Sequence, residues 1–292
     1  MTVKITVFTP TYNRAYIIEN LYRSLRRQTA CDFEWLVVDD GSTDNTEELF
    51  RIWQQEENPF PIRYFKQENG GKCRAINRGL ELAEGKLFFT VDSDDYLTDD
   101  ALEKVLRWEA ELPKGQQYCG FAGNLGTAPN ETPNRIFDDA YFDGTALDRY
   151  GAVDGERAMV FYTNIHRKYP YPVYDGEKFM TEAVVYNRMA HDGCKMRFYN
   201  DIIWIYEYKE DGLTKAGSSI FLNNPKGYGL WLREKAAFQG ASMKERLKMY
   251  YTFTCDLYSR LSGREIAACI GAPYPVIAFF CVVRKLINIF RK

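Results

Sequence analysis

The sequence predicts an α/β fold: a mixed, mainly parallel sheet with flanking helices, followed by a helical C-terminal region. Three observations carry that prediction. Strand-like and helix-like stretches alternate through residues 1–124. Each of the first four strand-like stretches ends in a polar or glycine-rich motif. From residue 229 the pattern turns helical. Strands separated by helical stretches imply right-handed βαβ units, and hence a parallel sheet covered on both faces.

The elements follow in order. Residues 3–9 read as a strand, and 15–28 as a helix with Ile17, Ile18, Leu21 and Leu25 on one face. Residues 33–38 give the second strand. Ser42 and Thr43 open the next helix, with Glu47 and Glu48 in its early turns, where acids suit the helix dipole. A strand over 62–66 and a helix over 73–83 come next, then a strand over 86–91 and a helix over 99–112 capped around Thr98. Residues 119–124 supply a fifth strand. Residues 125–157 are rich in Gly, Pro, Asn and Asp, which predicts a long functional loop or an insertion. Strand and helix patterns mix from 157 to 208, and one helical region runs over 229–261.

Bulk properties narrow the function. A net charge of −2 gives no global attraction to a polyanion, so nucleic acid is not an expected partner. The seven cysteines are odd in number and hold no CxxC pair, which predicts reduced thiols in a cytosolic setting. Two histidines argue against a histidine-rich metal site. The N-terminus runs straight into an apolar strand, without the basic region and cleavage site of an export signal. In the tail, the apolar run Val276–Val283 is far short of the ~20 residues a spanning helix needs. Four bases and no acids among the last nine residues suit a helix lying on an anionic membrane surface through 274–292. Docking on the protein body or a partner subunit is the other reading.

An open parallel sheet binds its ligands at the carboxyl ends of the strands. Strand one ends in Thr9-Pro10-Thr11-Tyr12-Asn13-Arg14 and strand two in Asp39-Asp40-Gly41-Ser42. Strand three leads to Asn69-Gly70-Gly71-Lys72, and strand four to Asp92-Ser93-Asp94-Asp95. Singly, each is a helix cap, a turn or a loop. Four on one edge are better explained as a site. Either Asp39 or Asp40 suits the imide N–H of a uracil ring, with Tyr12 packing on the base. Lys72 and the amides near Gly70 and Gly71 suit a phosphate. The acid cluster is either an exposed turn entering a helix or a metal site. As a site, Asp92 and Asp94 suit Mg2+ or Mn2+ bridging a diphosphate. No GxxxxGK[ST] occurs and no GxGxxG follows strand one, so ATPase and dinucleotide-oxidoreductase readings lose support.

Taken together, Pro10-Thr11-Tyr12-Asn13-Arg14, Val37-Val38-Asp39-Asp40-Gly41-Ser42-Thr43-Asp44, Asn69-Gly70-Gly71 through Ala75-Ile76-Asn77-Arg78-Gly79, and Asp92-Ser93-Asp94-Asp95 resemble the family 2 glycosyltransferases, which have the GT-A fold. The resemblance covers about the first third of the chain. It implies inverting transfer from a nucleotide sugar, commonly a UDP-sugar, with Mg2+ or Mn2+, in bacterial surface-glycan synthesis. It also implies that Pro10, Tyr12 and Asp40 contact the nucleoside and that Asn69 lies beside it. Thr11, Asp39, Lys72 and Ser93 fall inside the same donor motifs. Asp92 would sit near the ribose and cation, and Asp94 would ligate the metal. Many members carry Arg just before the Asn at position 77, where this chain has Ile76, so Lys72 or Arg74 has to substitute.

Inversion in one step needs a carboxylate to take the acceptor proton. Glu182, at the start of a helical stretch over 183–190, resembles the family's late acidic motif and is the expected base, with Asp175 as the fallback. A first-turn acid satisfying the helix dipole is the plain alternative. The run Glu207-Tyr208-Lys209-Glu210-Asp211-Gly212-Leu213-Thr214 resembles a stretch of surface-glycan members, though a hairpin turn explains it almost as well. The expected organisation is a donor-binding half over 1–124, an acceptor-binding half over 125–228 and a helical region over 229–292. The expected acceptor is a glycan or lipid-linked, and the expected location is cytoplasmic, peripheral at the inner face of the cell membrane. The competing readings are a sugar-phosphate nucleotidyltransferase and a non-catalytic nucleotide-sugar-binding subunit.

Overall fold

The computed structural model describes residues 3–113, 117–148, 153, 155–207 and 217–290, the side chains of 288–290 excepted. Most of the run 207–214 and the last two basic residues lie outside the described residues. The first part of the chain alternates as the sequence predicts: β1 (Ile5–Thr11), α1 (Glu19–Arg26), β2 (Phe33–Asp39), α2 (Thr46–Trp53), β3 (Ile62–Lys66), α3 (Lys72–Leu82) and β4 (Leu87–Thr90). A two-residue strand, β5 (Tyr96–Leu97), precedes α4 (Ala101–Glu111). Then come β6 (Tyr118–Gly126), β7 (Phe142–Gly144), β8 (Arg157–Tyr162), α5 (Thr163–His166), α6 (Ala183–His191) and β9 (Lys195–Ile205). The described chain ends in α7 (Ser219–Leu222), α8 (Pro225–Phe238), α9 (Met243–Leu257), α10 (Gly263–Ile270) and α11 (Tyr274–Phe290).

Among the described residues nine strands share one sheet, in the order β3-β2-β1-β4-β8-β6-β9-β5, with β7 paired to β9. β3, β2, β1 and β4 are mutually parallel. β8 enters antiparallel between β4 and β6, so β6 runs the same way as β4. The carboxyl ends of the first four long strands therefore share one sheet edge. β5 closes the far side by pairing antiparallel with β9.

Side chains alternate across the sheet. Ile5 and Val7 of β1 join a core with Leu21 of α1, Phe50 of α2 and Trp108 of α4. Phe8 points the other way, toward α3, and stacks on Phe88 at 5.1 Å between centroids. α3 lies so close that a Cβ on Gly79 would sit 2.2 Å from the Phe8 ring. Glycine is required there, and the close approach fixes the height at which α3 begins.

Two helix starts differ from expectation. α2 begins at Thr46, after N-cap Asn45, and Asp44 Oδ1 accepts from the Thr46 amide (3.1 Å) and hydroxyl (2.6 Å). Ser42 and Thr43 bond instead to Asn13. α4 begins one turn after Thr98, whose hydroxyl donates to Asp100 at 3.0 Å. The expected helical region over 229–261 is two helices, α8 and α9, broken at Gly240 with its φ of 65° and restarted by a capping box between Ser242 and Glu245.

Contacts divide the chain into two compact units, Met1–Pro170 with Arg188–Lys209, and Tyr171–Asn187 with Glu210–Lys292. The first contains the sheet. The second is helical, and its core gathers Phe253, Leu257, Ile266, Ala267, Ile270 and Ile277.

Candidate functional site

Four strand-end motifs meet at one edge of the first unit, and hydrogen bonds tie them into a frame. At the end of β1, Thr11 is buried and its carbonyl accepts the Asp40 amide at 2.8 Å. Tyr12 next to it is about half exposed, at 47%. Asn13 adopts the left-handed conformation (φ 53°), which an Asn tolerates. That twist lets its amide donate to Ser42 Oγ (2.8 Å) while its Oδ1 accepts the Thr43 amide (2.8 Å). The first two motifs are thus one hydrogen-bonded loop pair. Pro10 continues the β1–β2 ladder opposite Val38.

The two aspartates of the second motif are buried and have separate partners. Asp39 Oδ1 accepts the Ser42 amide at 2.7 Å, and its Oδ2 accepts the Tyr64 hydroxyl. Burial and that carboxylate push the Tyr64 phenol well above its ordinary range, so it stays a donor. Asp40 Oδ1 accepts from Gln67 Nε2 (2.8 Å) and the Gly70 amide (3.0 Å). Its Oδ2 accepts from the Gly71 amide (2.7 Å) and Asn69 Nδ2 (3.1 Å). The amides of Gly70 and Gly71, which the sequence assigns to a phosphate, instead serve this carboxylate. The physical reason is proximity: Gly41 (φ 87°) turns β2 so tightly that a Cβ there would meet the Asn69 amide nitrogen at 2.9 Å.

Past Gly71, α3 begins at Lys72, whose Nζ lies 2.7 Å from Asp92 Oδ1. The two side chains are partly open to solvent, at 27% and 36%. Arg74 turns back and donates to the Gly70 carbonyl at 2.7 Å. Ile76 is fully buried and packs within the fold. Of the two cations that the sequence offers in place of the missing Arg, Lys72 pairs with Asp92, and Arg74 bonds to the Gly70 carbonyl.

The acid run is not uniform. Ser93 is buried and Asp92 and Asp94 are partly exposed. Asp95 turns inward, where Trp204 Nε1 of β9 donates to its Oδ2 at 2.8 Å. Burial first, and then the charges of Asp92 and Asp94, push Asp95 up to about 8. Asp99 makes a surface pair with Arg27 at 3.0 Å. The sequence leaves Asp95 as an acid entering a helix and does not single out Gln67, Tyr64 or Trp204. Tyr64 and Gln67 lie in and just after β3, with only ordinary strand and turn composition to mark them. Trp204 is 109 residues from Asp95 in sequence.

Among the described residues no group of three or more His, Cys, Asp and Glu side chains is arranged to hold a metal ion. Asp92 and Asp94 still fit a hard divalent cation. Mg2+ is commonly taken by one or two carboxylates, with substrate phosphates and water completing its shell.

Glu182 belongs to the second unit and stands just before α6. Its Oε2 accepts the Tyr186 hydroxyl at 2.7 Å, one helical turn on. Desolvation and the Glu182 charge push the Tyr186 phenol well above its ordinary value, so it stays a donor. Glu177, nearby in sequence, caps α8 instead, accepting the Lys226 (2.7 Å) and Gly227 (2.9 Å) amides. Asp175 contributes its backbone carbonyl to Lys226 Nζ at 3.3 Å.

The family model for glycosyl transferase family 2 matches residues 6–164, more than half of the chain. The chain belongs to glycosyl transferase family 2. Its motifs at the β1, β2, β3 and β4 ends all fall inside the matched region. The glycosyltransferase GlyG of Streptococcus pneumoniae serotype 4 is 32% identical over 237 residues, 74% of each chain. An uncharacterized glycosyltransferase of Rickettsia felis is 38% identical over 108 residues. That match covers 37% of this chain and 17% of the relative, so the chain spans less than a fifth of that protein. Among solved structures, S. aureus TarS 1–349 in complex with UDP-GlcNAc has a TM-score of 0.62 at 16% identity, covering 98% of this chain and 91% of the other. At that identity the likeness shows the shared GT-A fold.

Proposed function

We propose that this family 2 member is an inverting, metal-dependent glycosyltransferase. In this reading it moves a sugar from a nucleotide donor, a UDP-sugar, to a hydroxyl of a glycan or lipid-linked acceptor in cell-surface polysaccharide synthesis. The observation that carries the reading is the juxtaposition of Lys72 and Asp92 at 2.7 Å, on the sheet edge where the Asp39–Asp40 turn also lies. A cation beside partly exposed acids is a charge arrangement suited to a metal-bridged diphosphate. Solved neighbours in complex with UDP-GlcNAc and with GDP-Man support a nucleotide sugar as the donor class.

Each residue then has a role. Tyr12 packs on the base, with Pro10 and Thr11 forming the floor beneath it. Asp40 takes the imide N–H in exchange for its 3.1 Å contact from Asn69, the longest of its four, and Asn69 then lies beside the nucleoside. Asp39 holds the turn through Ser42 and Tyr64. Lys72 exchanges Asp92 for the diphosphate. Asp92, Ser93 and Asp94 line the ribose and diphosphate side, and Asp92 and Asp94 would hold Mg2+ or Mn2+, which when bound supplies charge neutralisation for the departing diphosphate.

Glu182 acts as the base. Its carboxylate takes the proton of the acceptor hydroxyl while that oxygen bonds to the anomeric carbon and the bond from this carbon to the diphosphate breaks. The nucleotide leaves with the electron pair and the configuration inverts. Tyr186 orients Glu182 by donating to its other side. The acceptor is presented at the inner face of the cell membrane, with the protein held there peripherally.

The test is Glu182→Gln, assayed by Mn2+-dependent UDP release from UDP-sugars and by UDP binding. UDP affinity stays within about twofold, and turnover falls by about 10^2–10^4-fold, the usual range for loss of a general base. Near-normal turnover in the variant removes Glu182 from the mechanism and leaves Asp175 to be tested in its place.

A further inference from the structure

α11 is apolar on two opposite faces. On one, Ile277 is fully buried, with Phe280 and Cys281 packed beside it against the core of the second unit. On the other, Phe279, Val282 and Leu286 are exposed at 63%, 55% and 49%. With Pro275 they recur at i, i+4, i+7 and i+11, which is a single stripe on an α-helix. A surface helix ordinarily presents polar residues on that side. α9 packs against α11 and has exposed apolar side chains of its own. Met243 and Leu247 are exposed, and Tyr251, next in their i, i+4 row, meets the Phe280 ring at 5.4 Å.

Charge identifies what covers this face. Residues 229–292 hold 11 Lys and Arg against 4 Asp and Glu, a balance of +7. With a whole-chain charge of −2, the preceding 228 residues carry −9. Lys244 and Lys248 on α9, Arg264 on α10 and Lys285 on α11 are exposed. Two of the four acids, Glu245 and Glu265, are committed to capping boxes with Ser242 and Ser262. A second copy of the chain docking on the same face would bring like charge against like charge. Among the described residues no helix is long and apolar enough to cross a membrane.

We infer that the face formed by α9 and α11 docks in the plane of an anionic lipid surface, with Phe279, Val282, Leu286, Met243 and Leu247 entering the acyl boundary and the flanking bases on the headgroups. Helices of this type bind through buried apolar area together with electrostatic attraction. The inference deepens the proposed transferase reading by naming the surface that holds the protein at its acceptor, and its test needs no transfer.

The purified full chain is floated with phosphatidylcholine vesicles and with mixed phosphatidylcholine–phosphatidylglycerol vesicles. The wild type co-floats with the anionic vesicles, releases in high salt and ignores the neutral ones. Phe279→Ser with Leu286→Ser, both on the exposed stripe, loses at least about tenfold in partitioning while its circular dichroism and UDP binding stay unchanged. Lys248→Gln with Lys285→Gln loses roughly fivefold for each base removed. Absence of binding to anionic vesicles overturns the inference. So does a wild-type dimer that Phe279→Ser turns into a monomer, because a second copy then covers the face. Vesicle binding without any turnover on nucleotide sugars leaves this inference standing and removes the transferase reading.

Discussion

Asp40 shows how one side chain can organise a loop before any ligand arrives. A carboxylate has about four lone-pair sites, and here Gln67, Asn69 and the amides of Gly70 and Gly71 take them all. Asp40→Asn replaces one acceptor oxygen with a donor that faces other donors. It is expected to cost about 2 kcal/mol, the scale of one buried group left unpaired. Urea denaturation measures the loss, and an unchanged midpoint would mean that the loop is held by its other contacts. The residue types at this site were legible in the sequence, because carboxylates and glycines at strand ends are local signals. Their division of labour was not. Gly70 and Gly71 read as a phosphate cradle until the position of Asp40 is known. Asp95 reads as a helix-entry acid until Trp204 of β9 is brought against it. Both depend on contacts between residues far apart in sequence.

The element that matters most for the site is α3, which carries Lys72 at its first position. Its seat on the sheet is set at the other end, where Gly79 lies against Phe8. Gly79→Ala puts a methyl group where the ring stands and forces the helix outward. Overpacking of this kind costs about 1–3 kcal/mol. A lower denaturation midpoint together with weaker UDP binding is the expected result; unchanged stability would mean that the Phe8 ring can swing away. Among elements, the sequence located β3 to the residue, since 62–66 is a compact β-branched and aromatic run between turn residues. It did not reveal β5, whose two residues form a strand only through pairing with β9. Nor did it separate α8 from α9, because apolar spacing continues across Gly240 and the break is made by backbone conformation and the Ser242 cap.

At the scale of the whole molecule, charge is segregated along the chain. The donor motifs lie in the part that carries −9, and the helical tail carries +7. An acidic body has no natural affinity for a nucleoside diphosphate, so the proposed donor binding requires local, cation-assisted contacts. That requirement is the centre of the account, and it gathers the strand-end acids, Lys72 and the Asp40-tied loop into one function. The fold class followed from the alternation of elements, whereas the division into two compact units with interleaved segments depends on packing that no local pattern encodes. The most direct test is isothermal titration calorimetry of UDP into the wild type and into Asp94→Asn, with Mn2+ and with EDTA. The account predicts binding that needs Mn2+ and that Asp94→Asn weakens by at least about tenfold, the scale of a lost charged ligand contact. UDP binding of equal strength in EDTA and in the Asp94→Asn protein would contradict it.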